Sequence, residues 1–117
     1  MTRHDDVDRL GHMLAHAIEA IDLTRGRSRA DLDRDRLLNL ALVRLLEIVG
    51  EAANRVSPET QQRLSGVPWP AIVGLRNRLI HGYDEVDFDI LWDIVTVDLP
   101  RLVQQLRDAD NPTVQDV

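Results

Sequence analysis

Apolar side chains recur at three- and four-residue intervals along most of the chain, and nowhere do they alternate as a strand requires. Val7, Leu10, Leu14, Ala17, Ile18 and Ile21 form one stripe, which predicts a first helix over about 5–23. Asp5 and Asp6 suit the positive end of its dipole. Gly26 and Ser28 then interrupt the period, so 24–31 reads as a loop. Leu37, Leu38, Ala41, Leu45, Ile48, Val49, Ala52, Ala53 and Val56 make a broader face, predicting a second helix from 31 or 33 to 56. Gly50 lies inside it. A glycine there costs about 1 kcal/mol against alanine, which points to close approach of another helix or another subunit.

Ser57-Pro58-Glu59-Thr60 signals a restart, with serine as cap, proline in the first turn and an acid near the dipole. A short helix to about Leu64 should follow, broken at Ser65-Gly66-Val67-Pro68. Trp69, expected to anchor a core or an interface, opens a third main helix that runs on through Leu75, Leu79 and Ile80 to a stop at Gly82. Asp84 or Asp87 can cap the last helix, whose stripe is Ile90, Leu91, Ile94, Val95, Leu99, Leu102, Val103 and Leu106. Pro100 falls within that stripe and should kink or split it. The pattern predicts an all-α fold: an antiparallel up-down bundle of four main helices plus one short helix.

Composition narrows this. A chain of 117 residues makes one domain, 1–110, with a tail at 111–117. It is 44% apolar and only 3% aromatic, so the core must be aliphatic. With no cysteine, disulfides and thiolate metal sites are excluded. Met1 is followed by charged Arg3, His4, Asp5 and Asp6, so no signal peptide is expected, and no apolar run is long enough to span a bilayer. The expected compartment is the cytoplasm, and no membrane partner is expected.

Net charge is −6, which argues against coating nucleic acid by bulk charge but leaves room for a local basic site. Arg25, Arg27 and Arg29, with Arg34 and Arg36 beyond, are the densest basic patch. It reads either as a solvated turn partly neutralised by Asp31, Asp33 and Asp35 or as a phosphate-backbone contact. His4, His12 and His16 are read as surface histidines rather than metal ligands. Glu51, beside Gly50, is a candidate partner for an arginine.

The candidate chemistry lies between Gly74 and Tyr83, where Arg76, Asn77, His81 and Tyr83 fall within eight residues. At about 100° per residue, Arg76 and Tyr83 share a side of a helix, whereas Arg76 and His81 are roughly 140° apart. The latter pair meets only if the last turn unwinds, if the arginine swings across, or if a second copy of the motif faces this one. Three readings remain open on these residues: a polar helix end, a nucleotide-gripping module, or metal-free phosphodiester chemistry. In the last, histidine moves a proton near neutral pH and arginine holds the phosphate.

The run Arg76-Asn77-Arg78-Leu79-Ile80-His81-Gly82-Tyr83 resembles the Arg-X-X-X-X-His-X-Tyr motif of the HepT-like branch of the HEPN superfamily. Ile48 to Ala53, Val67-Pro68-Trp69 and Val97-Asp98-Leu99-Pro100 extend the resemblance over most of the chain from about Arg44 to Leu106. It implies a helical-bundle endoribonuclease, independent of metal and cofactor, that acts as the toxin of a type VII toxin–antitoxin pair. It implies a homodimer whose two motifs meet in a cleft. Arg76 and His81 carry over as catalytic residues, with Asn77 and Glu51 in support. Arg78, Arg34 and Arg36 are expected to contact RNA. Tyr83 carries over as the residue that the partner, a minimal nucleotidyltransferase antitoxin, modifies with AMP.

Overall fold

Asp35, Ser57 and Asp87 each place a side-chain oxygen against backbone N–H groups of the turn that follows, and these three caps divide the chain. The computed structural model describes residues 4–82 and 85–109; Tyr83 and the tail expected at 111–117 lie outside them. The first helix, α1, spans His4–Leu23. A single turn, α2 (Asp31–Arg34), precedes α3 (Arg36–Asn54), which Asp35 caps through Oδ1 accepting from Leu38 N–H at 3.0 Å. The expected second helix is therefore interrupted at Asp35. Ser57 caps α4 (Pro58–Arg63), and α5 (Trp69–Val73), α6 (Leu75–Leu79), α7 (Phe88–Asp93) and α8 (Leu99–Ala109) complete the chain.

These elements form the all-α antiparallel bundle. Its four main limbs are α1, α3, the α5–α6 pair and the continuous run from α7 to α8, with α4 as the short helix. α1 packs on α3 and α8, and α3 also receives α5 and α6. On α1, Met13, Ala17 and Ala20 are buried, Leu10, Leu14, Ile18 and Ile21 are half-buried, and Val7, expected in the stripe, is exposed. Met13, Leu42, Leu46, Leu75, Leu79 and Leu102 are among the fully buried side chains, so the core is aliphatic as its composition requires. Trp69 is buried in it and donates Nε1–H to the Leu64 carbonyl at 3.1 Å. No helix among the described residues is long and apolar enough to cross a membrane.

Gly50 shows why α3 carries a glycine. A Cβ there would lie 3.1 Å from the backbone carbonyl oxygen of Ile72, so the close neighbour is α5 of the same chain. At the other end of α1, the buried Asp6 accepts from Ser57 N–H at 2.9 Å and from the hydroxyls of Ser57 and Thr60, each at 2.6 Å. The acid expected to serve the helix dipole thus ties the start of α1 to the α3–α4 corner.

One expectation is refined and one is corrected. The last helix is divided, as Pro100 implied, but at the turn before the proline. A π turn at Ile94–Asp98 joins α7 to α8, with the Leu99 N–H bonded back to the Ile94 carbonyl. Widening the turn just before the proline accommodates a ring that would crowd the carbonyl four residues back in a regular helix. The third main helix, by contrast, does not run on to Gly82 as expected. It breaks at Gly74 and ends at Leu79, because Ile80 is extended (φ −104°, ψ 117°) and pairs as an antiparallel bridge with Val86.

Candidate active site

Leu75 and Leu79 are buried against the core, and this fixes α6 so that Arg76 and Asn77 are exposed. The chain then turns back on itself. His81 N–H donates to the Glu85 carbonyl at 2.7 Å, and Asp87 N–H donates to the Leu79 carbonyl at 2.9 Å. Gly82 takes φ +70°, the left-handed conformation that glycine adopts without steric cost. From Ile80 to Gly82 the motif is therefore extended and turned rather than helical.

Arg76 borders a cavity of about 670 Å³ formed by α3, α6 and this hairpin. Its charged lining is Arg36, Glu47, Arg76 and Glu85, and Leu40, Val43, Ile80 and Phe88 give it apolar walls. The half-buried Glu47 brings Oε2 to 3.5 Å from Nε of Arg76. Engagement through Nε leaves the terminal guanidinium nitrogens with donors to spare. His81 does not line the cavity. Its imidazole is exposed on the hairpin, with Nε2 3.9 Å from Oδ2 of Asp87. Asp87 also caps α7, Oδ1 accepting from the Asp89 and Ile90 N–H groups.

The other expected site residues are dispersed. Arg36 shares the cavity with Arg76. Arg78 faces elsewhere and bonds Asp98 at 3.1 Å. Arg34 and Asn77 are exposed and outside the cavity lining. Glu51 is not the acid beside Arg76: it lines a separate depression, and Arg44 lies 3.9 Å from it. Glu47, one turn earlier on α3, holds that place. The arginines of the loop are paired with acids of neighbouring elements, Arg25 with Asp22, Arg27 with Asp35, and Arg29 with Asp33 and Asp89. The bond to Asp89 raises the Arg29 pKa above its ordinary value, against an opposing effect of burial. Among the described residues, no three His, Asp or Glu side chains are grouped to share a metal ion.

Glu47 and Asp87 are the site residues that sequence reasoning missed in this role. The signal for Glu47 was its position one turn from Glu51 on the same helix. Asp87 was legible only as a cap.

Comparison with known proteins bears on what this arrangement serves. The model of the HepT-like ribonuclease family matches residues 13–109. A "Putative RNase" of Caldanaerobacter subterraneus subsp. tengcongensis is 36% identical over 99 residues, covering 85% of this chain and 88% of that protein. A "Putative RNase" of Methanocaldococcus jannaschii is 32% identical over 107 residues, covering 92% and 98%. The "Probable ribonuclease HepT" of Thermococcus cleftensis is 36% identical over 90 residues, covering 76% and 82%. No solved structure gives a significant match.

Proposed function

Because this chain belongs to the HepT-like ribonuclease family, we propose that it is a metal-independent endoribonuclease that acts as the toxin of a toxin–antitoxin pair. The observation that carries the reading is Arg76 at the cavity edge, engaged through Nε by Glu47 and keeping its terminal nitrogens for a phosphate. His81 is the general base. It takes the proton from a ribose 2′-hydroxyl as that oxygen attacks the adjacent phosphorus. The bond from phosphorus to the 5′-oxygen breaks, leaving a 2′,3′-cyclic phosphate. The departing oxygen takes a proton from an imidazolium or from water. Arg76 stabilises the negative charge that builds on the phosphoryl oxygens.

Arg76 faces the cavity while His81 faces Asp87 on the hairpin, so the reaction needs a second copy that brings its motif opposite this one. The apolar surface beside the cavity supports such a homodimer: Leu37 is 80% and Leu40 48% exposed, at three-residue spacing on α3. Inhibition runs through Tyr83. Its phenol oxygen attacks the α-phosphorus of ATP on the nucleotidyltransferase partner, pyrophosphate leaves, and AMP remains on the tyrosine. Gly82 and Glu85, on either side in the chain, line the cavity, so the added charge and bulk oppose RNA entry.

The test is cleavage of RNA by purified protein lacking the modification. Arg76→Ala and His81→Ala should each lower the rate about 100-fold or more. Binding that needs Arg76 without any cleavage would replace this reading with that of a non-catalytic RNA-binding module.

A further inference from the structure

We propose that the groove between α1 and α3 holding Arg9, His12 and Arg55 is a second phosphate-binding site, which takes the backbone of the RNA strand running to or from the active site. The inference rests on the ribonuclease reading. The groove is a depression of about 200 Å³ lined by Arg9, His12, Ile48, Glu51, Ala52 and Arg55. That volume suits a phosphate and is too small to enclose a nucleotide.

The charges favour an anion. Glu51 is the one carboxylate in the lining, and Arg44 stands 3.9 Å from it. With Arg44 counted, three arginines and a histidine face a single acid. Elsewhere Arg25, Arg27, Arg29 and Arg78 each meet a carboxylate at 3.1 Å or closer. In contrast, Nε of Arg9 is buried and has no hydrogen-bond acceptor among the described residues. That nitrogen is covered, so Arg9 would meet a phosphate through the part of its guanidinium that borders the groove, beside Arg55 and His12. The depression at Arg78 and Arg101 is a weaker candidate, since Asp98 already holds Arg78.

The active-site cavity explains why such a site is needed. Arg36 and Arg76 there are offset by Glu47 and Glu85, and the whole chain carries a net charge of −6. Neither the cavity nor the long-range field attracts a polyanion. Glu47 in the cavity lies on α3 and Arg55 in the groove directly follows its last residue, about 12 Å further along the axis at 1.5 Å per residue. A strand of a few nucleotides covers that distance.

The test is binding of a fluorescein-labelled oligouridine to full-length His81→Ala protein, which holds RNA without cutting it, across a range of salt. Adding Arg55→Gln or Arg9→Gln should weaken binding about threefold to tenfold and flatten the log–log salt dependence by about 0.7 per lost contact. Glu51→Gln should tighten it. In the active protein the arginine changes should raise KM and leave kcat unchanged. Arg55 is exposed, so its variant keeps the test valid if Arg9→Gln unfolds.

Inorganic phosphate, followed through the NMR signals of His12, separates the two sources of the ligand. Weak phosphate binding together with Arg55-dependent RNA binding assigns the groove to RNA. Tight phosphate binding with RNA affinity unaltered in both variants assigns it to a free anion and overturns the proposal. Unaltered RNA affinity and salt slope with no phosphate binding overturn it outright. RNA binding that depends on Arg9 and Arg55 in a wild-type protein that never cleaves would leave the groove standing and remove the nuclease reading instead.

Discussion

Glu47 meets Arg76 through Nε, at 3.5 Å, and the contact joins the middle of α3 to the first turn of α6. Glu47 is half-buried while Arg76 is largely exposed, so the acid is the fixed member and the base the one being held. An exposed arginine left alone samples many rotamers, and each misplaced one costs rate. Glu47→Gln and Glu47→Ala should each lower kcat about 10-fold to 100-fold, with smaller changes in KM. Circular dichroism melting should show folding retained. A kcat unaffected by either substitution would reduce Glu47 to a surface ion pair.

Gly50 makes a sharper claim about the fold. Alanine in its place would gain about 1 kcal/mol of helix propensity. Its Cβ would also press to 3.1 Å on the Ile72 carbonyl, which is backbone and cannot swing aside. Overpacking of this kind costs about 1–3 kcal/mol, so the steric effect wins. Gly50→Ala should lower the unfolding free energy in urea. An increase would show that α5 moves away from α3 without cost.

The bundle was legible because its determinants are local. The α1 stripe, the Ser57-Pro58 restart and the aliphatic core all follow from spacing and capping chemistry. The site was legible only in its residue types. Nothing in Leu79-Ile80-His81 marks the helix end, since Ile80 turns extended only through pairing with Val86 across the hairpin. The same holds for the acid beside Arg76. Glu47 and Glu51 are chemically identical and one turn apart, and the packing of α6 on α3 decides between them. At Pro100 the sequence named a real conflict, and the π turn just before the proline is how the chain resolves it.

Asp35 gives a prediction in pH. The Leu38 N–H, and to a lesser degree the guanidinium of Arg27, hold its carboxyl below the ordinary carboxylate value despite an opposing desolvation. A depressed folded pKa means stability that is present above the unfolded pKa and lost as pH falls through the folded one. Asp35→Asn keeps a good cap without the charge. The wild type should therefore melt higher than this variant at neutral pH, and the gap should close as the buffer is taken below about pH 4. A gap that stays constant with pH would mean the ionised carboxylate is not its source.

Asp87 has two jobs that substitution can separate. Its Oδ1 caps α7, and its Oδ2 lies 3.9 Å from Nε2 of the proposed base, His81. A nearby carboxylate orients an imidazole and stabilises it once it has taken a proton. Asparagine caps as well as aspartate but offers no charge. Asp87→Asn should therefore leave the melting temperature nearly unchanged and slow RNA cleavage about 10-fold, a modest factor because the pair is long. Asp87→Ala loses the cap as well and should cost about 1 kcal/mol of stability with a similar loss of rate. Full activity in the asparagine variant would confine Asp87 to holding α7, and His81 would then have to be oriented by the facing copy of the chain.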